Sequence, residues 1–147
     1  MLPATTSLGW LIWIDADSYT LKRMTTKDVL ALLPEGADVV CLERSDQEYH
    51  EGAFIAFNLN SQATQDLLGD LRGAYISGEI FNYREWHDTF IFTRLLTLYK
   101  AHGLKVLNLG MNADTKSSPA FDQSPLSSMF LHFNGASAAS LKNIRDE

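Results

Sequence analysis

Trp10-Leu11-Ile12-Trp13-Ile14-Asp15-Ala16-Asp17 is the stretch on which the fold turns. Five large apolar residues in succession predict a strand buried on both faces. Two acids follow, where that strand would leave its sheet. In open α/β sheets, ligands gather at the carboxyl ends of strands. Asp15 and Asp17 are two positions apart, so extended backbone turns both to one side. Close carboxylates repel unless positive charge lies between them, and a hard divalent cation takes oxygen ligands readily. The pattern points to metal-assisted handling of a phosphorylated substrate. The competing reading is an Asx-type turn, in which each Asp serves free backbone N–H groups.

Outward from this strand, the chain alternates between strand and helix signals. Thr25 and Thr26 can cap a short helix through Leu33, with Asp28 at its positive end and Pro34-Glu35-Gly36 as its stop. Ala37 to Leu42 and Gly52 to Leu59 read as apolar strands, with a polar loop between them. Ser61 can cap a helix whose stripe is Ala63, Leu67, Leu71 and Tyr75, ending at Gly78. Phe81 to Trp86 is a polar-aromatic connector. Asp88 opens an apolar helix to about Ala101, closed by Gly103, and Leu104 to Leu109 is a last strand. Beyond Gly110 the chain is rich in Ser, Asn and Ala and shows little periodicity.

A chain of 147 residues suits one domain with a real core. A net charge of −6 and a pI near 5.1 argue against broad binding of nucleic acid or anionic membrane. The single cysteine, Cys41, cannot form an internal disulfide, so a reducing, cytoplasmic compartment is expected and Cys41 reads as core. No run reaches the ~18 apolar residues of a membrane span.

Several segments together resemble the GT-A-type glycosyltransferases, in particular small bacterial and phage proteins of that fold. They are Trp13-Ile14-Asp15-Ala16-Asp17 (an Asp-x-Asp motif), Leu33 to Val39, Tyr49 to Leu59, Ser77 to Phe81, Glu85 to Phe90, and His132-Phe133-Asn134-Gly135, similar to a terminal His-x-x-Gly. The resemblance runs from about Trp10 to Gly135. It implies an α/β, GT-A-like mixed sheet flanked by helices over residues 1–136, followed by a frayed tail over 137–147. It also implies one more βαβ segment, for base and ribose, ahead of the Asp-x-Asp strand; only about nine residues precede that strand, so an N-terminally shortened unit is expected. A lysine is expected near the terminal motif. Asn134 stands there, and the nearest cations are Lys142 and Arg145.

The same resemblance assigns roles. Asp15, Asp17 and His132 would hold a divalent cation, for which an imidazole favours Mn²⁺ over Mg²⁺. Asn134 and Gly135 would lie against the donor diphosphate. Asp88, or Glu51 in its place, would serve the acceptor hydroxyl as base. Apart from the resemblance, Trp86 and His87 could line a sugar site, since aromatic faces suit the apolar face of a pyranose. Against these stand blander readings: Asp88 as a helix N-cap, Glu51 as a solvated residue where its strand starts, Trp86 as a core anchor, His132 as a half-buried histidine, and His50 and His102 as surface residues.

The expected activity is transfer of a sugar from a nucleotide-sugar donor to an acceptor hydroxyl. Two rival readings stand beside it. A haloacid-dehalogenase-type phosphatase also starts with an Asp-x-Asp strand, but it wants Thr or Val where Tyr19 stands and a later pair of acids that is missing. A catalytically degenerate relative would bind metal, sugar or a partner without turnover. An open sheet edge beside Trp10 to Ile14 would favour homo-oligomers.

Overall fold

The computed structural model describes residues 9–43, 48–110 and 120–133. These form a mixed α/β fold. A four-stranded sheet is built from β1 (Trp10–Ile14), β3 (Val39–Leu42), β4 (Glu51–Asn58) and β5 (Val106–Asn108), in the order β1-β4-β3-β5. β4 runs antiparallel to both neighbours, and β3 pairs in parallel with β5. A second, two-stranded sheet joins β2 (Ser18–Thr20) to β6 (Phe130–His132). The helices are α1 (Thr26–Leu30), α2 (Gln62–Ser77) and α3 (Asp88–Ala101).

Period-two alternation assigns the two faces of the sheet. Val39 and Cys41 of β3, with Ile55 and Phe57 of β4, pack against Leu67 of α2 and against Phe92 and Leu96 of α3. Val40 and Leu42, with Phe54 and Ala56, face the opposite way onto Leu32, Leu33, Phe121, Leu126 and Phe130. β3 is therefore the strand buried on both faces.

The first strand departs from its expected setting. Among the described residues it pairs only with β4, which makes it an outer strand, and Trp13 is 52% exposed with Leu11 and Ile14 also open. Apolar content reported that it is a strand. It could not report how many neighbours the strand has.

Helix boundaries follow local chemistry. Thr25 and Asp28 form a reciprocal capping box at the head of α1. Ser61 caps α2, which ends at Gly78 in the left-handed region at φ 74°. Gly78→Ala should cost about 1 kcal/mol, since a Cβ disfavours that region; the urea midpoint of the variant checks this. α3 opens at Asp88 as expected, but the N-cap is His87, whose Nδ1 accepts from Phe90 N–H at 3.2 Å, so Asp88 is the first helical residue and not the cap.

The segment after Gly110, which shows little periodicity, contains a 3-10 turn (Pro125–Ser128) and β6. β6 has three residues and finds its partner at the other end of the described chain. No short-range period could announce it. Asn134, Gly135, Lys142, Arg145 and the expected tail lie outside the described residues.

Candidate metal centre

The β2–β6 ladder builds the site. Ser18 pairs with His132, and Phe133 N–H donates to the Asp17 carbonyl at 3.3 Å. This zips the far end of the chain to the turn that follows β1. Asp15 N–H is meanwhile held by the Ala53 carbonyl of β4 at 3.1 Å. The Asp15 carboxylate accepts the Ala16 N–H at 2.9 Å, a local turn bond that leaves its second oxygen open. As a result His132 Nε2 lies 3.1 Å from Asp17 Oδ1 and 3.8 Å from Asp15 Oδ2. One ligand atom from each of the three side chains falls within 4.8 Å of the others.

The two carboxylates are exposed, but the imidazole is 6% exposed. Two polar atoms here are buried and have no hydrogen-bond partner: Ser18 Oγ and His132 Nδ1. Two hard oxygen donors and one imidazole suit a divalent cation, Mn²⁺ better than Mg²⁺. The donor set therefore fits the cation that the resemblance implies.

A polar cavity of about 290 Å³ surrounds these groups, lined also by Glu51 and Asp88. Four carboxylates share this cavity, and a cation between them would relieve their mutual repulsion. A larger apolar cavity of about 560 Å³ adjoins it, lined by Leu11, Phe57, Leu68, Leu71, Tyr75 and Phe92 among others. Trp13, Gly52, Asp88 and Thr89 line both.

The remaining candidates separate. Asp88 Oδ1 accepts from Thr89 N–H at 2.7 Å, which leaves its other oxygen free in the cavity. Glu51 is engaged on both oxygens, by Ala120 N–H at 2.8 Å and Phe121 N–H at 3.2 Å. It is therefore not a solvated residue. Trp86 is 62% exposed, so it anchors no core, and it meets the exposed Phe81 edge-on at 5.4 Å. Its neighbours are tied down. Glu85 accepts from the Tyr49 hydroxyl and pairs with Arg84, and its second oxygen lies 2.9 Å from His87 Nε2. Because Nδ1 accepts the Phe90 N–H, Nε2 carries the His87 proton. The Tyr49 hydrogen bond, with help from His87, holds the Glu85 carboxyl below the usual range.

His50 is not a surface residue. Its ring is buried, Nδ1 lies 2.9 Å from Thr93 Oγ1, and Nε2 lies 3.1 Å from Glu43 Oε1. Lys100 Nζ reaches the same Glu43 oxygen at 2.6 Å. Cys41 adjoins this group, but burial pushes its thiol well up, as suits an inert core cysteine. The His50 hydrogen bond, and then Lys100, pull the Glu43 carboxyl down to about 2. A folded-state pKa below the unfolded value of 4.5 means stability that is full above pH 4.5 and lost as pH falls toward 2. Glu43→Gln should thus cost about 1–2 kcal/mol in neutral buffer, a partly exposed carboxylate being screened. The deficit should vanish in acid, as urea midpoints at both pH values would report.

Sequence reading missed Ser18, Phe81 and the backbone of Ala120 and Phe121. Phe81 had a signal in its place within an aromatic connector; the others had none, because their roles come from contacts distant in sequence. His102, expected at the surface, is exposed at the end of α3. Among the described residues no helix is long and apolar enough to cross a membrane. Comparison with models of protein families, with curated proteins and with solved structures finds no match.

Proposed function

We propose that this chain is a GT-A-like glycosyltransferase unit that moves a sugar from a nucleotide-sugar donor to an acceptor hydroxyl with a divalent cation, Mn²⁺ ahead of Mg²⁺. The observation that carries the reading is the convergence of Asp15, Asp17 and His132 from opposite ends of the described chain. The mixed sheet, with these acids at the end of β1, is compatible with the implied fold.

Asp15, Asp17 and His132 would hold the cation, which supplies Lewis-acid neutralisation of the leaving phosphate. The acceptor oxygen bonds to the anomeric carbon. The bond from that carbon to the phosphate oxygen breaks, and its electron pair leaves with the phosphate. Asp88 takes the hydroxyl proton through its free oxygen. Glu51 is less suited to that role, because both its oxygens already accept backbone N–H groups. The exposed faces of Trp86 and Phe81, beside His87, suit the apolar face of an acceptor sugar. A reducing, cytoplasmic setting goes with the single buried thiol.

The test is release of free nucleotide from a panel of sugar nucleotides with Mn²⁺, with and without glycan acceptors. Wild-type turnover no greater than that of Asp17→Asn sinks the activity.

One observation favours a second reading, a module that binds metal or sugar without turnover. Among the described residues no Lys or Arg lines the polar cavity, and Arg72 lines only the adjoining apolar one. Mn²⁺ binding without nucleotide release would select it. The open edge of β1 also suits self-association, and Trp13→Lys should lower the mass seen by light scattering.

A further inference from the structure

Glu51 begins β4 and is mostly buried, although its carboxylate faces the polar cavity. A buried carboxylate needs donors, and it has two: the backbone N–H groups of Ala120 and Phe121. These two bonds clamp the turn at 120–121 against the start of β4. Phe121 then lays its ring against the His132 imidazole, with centroids 5.1 Å apart and planes at 41°. Beyond that ring, His132 Nδ1 is buried and without a partner, 4.0 Å from Glu51 Oε1.

An orphaned ring nitrogen next to a clamped carboxylate is an unfinished pair. A movement of about 1 Å brings the two to hydrogen-bond length. We propose that Glu51 is the positioning residue of His132: it receives the Nδ1–H and so turns Nε2 toward Asp15 and Asp17. The same carboxylate that docks the turn also sets the ring. Histidine ligands of metals commonly give their second N–H to a carboxylate, which fixes the ring and raises its basicity. Pairing also removes the cost of a buried, unmet N–H.

The importance of the pair for ion binding rests on the metal reading above; the pair itself does not. The first measurement therefore needs no ion. NMR of the ¹⁵N-labelled wild-type protein at neutral pH, ion-free and then with diamagnetic Mg²⁺, reads which ring nitrogen of His132 is protonated. A proton on Nδ1 in both states is expected. A bare Nδ1 overturns the proposal.

The second measurement is Mn²⁺ affinity of Glu51→Gln, by electron paramagnetic resonance of the free ion. The variant keeps the shape of the side chain but loses its charge and one acceptor. A fall of about 10–100-fold is expected, the range typical for such outer partners. Unchanged affinity in a folded variant overturns the proposal. If Glu51→Gln does not fold, the wild-type ring measurement decides alone. A wild type that binds no Mn²⁺ counts against the metal reading, and the ring nitrogen still decides the pairing.

Discussion

Asp15→Asn/Asp17→Asn should abolish the proposed Mn²⁺ binding and, with it, the proposed sugar transfer, while leaving the fold intact. Both side chains are exposed, and the turn they occupy is held mainly by backbone bonds such as Asp15 N–H to the Ala53 carbonyl. Asn keeps the shape but removes the charge that a hard cation requires. His132 then stands alone, and one imidazole does not retain the ion. Asp88→Asn should separate the two proposed functions: ion binding should persist, and transfer should fall by about 10²–10⁴, the usual worth of a positioned general base. Calorimetric titration with Mn²⁺, run beside nucleotide release, measures both. Full Mn²⁺ affinity in the double variant would mean that the ion sits elsewhere.

Phe121→Ala should be the most damaging single change to stability. Phe121 is completely buried and belongs to the cluster that joins Leu42, Phe54, Leu126 and Phe130. Its loss leaves a cavity, and such truncations cost about 3–5 kcal/mol. That is a large share of the ~5–15 kcal/mol that holds a domain of this kind together. The damage should extend to the site, because the same ring braces His132 and its N–H binds Glu51. Denaturant unfolding should show the lost stability, and Mn²⁺ affinity should drop in parallel. Phe81→Ala is the control: that ring is 67% exposed, so stability should change by no more than about 0.5 kcal/mol.

Much of the framework was legible from the chain alone, because its signals are local. Thr25 and Ser61 sit one residue before the helices they cap, and Gly78 ends α2 in the conformation that favours glycine. The apolar run ending at Ile14 placed both acids just past a strand, although they lie in a turn closed by Ser18 N–H to the Asp15 carbonyl rather than in extended backbone, and apolar runs marked β3 and β4 correctly. These features depend on backbone sterics and on neighbours within a turn or two.

Other features waited for tertiary structure. An apolar strand reads alike at the edge and at the centre of a sheet, so β1 became an outer strand only once pairing was set. His132 reached Asp17 through a three-residue ladder whose halves lie far apart in sequence. The exposure of Trp86, the burial of His50 and the double engagement of Glu51 were likewise settled by which groups the chain brought together. The physical reason is the range of the forces involved: caps and turns are decided by adjacent atoms, whereas burial and the partners of a charge belong to the assembled fold.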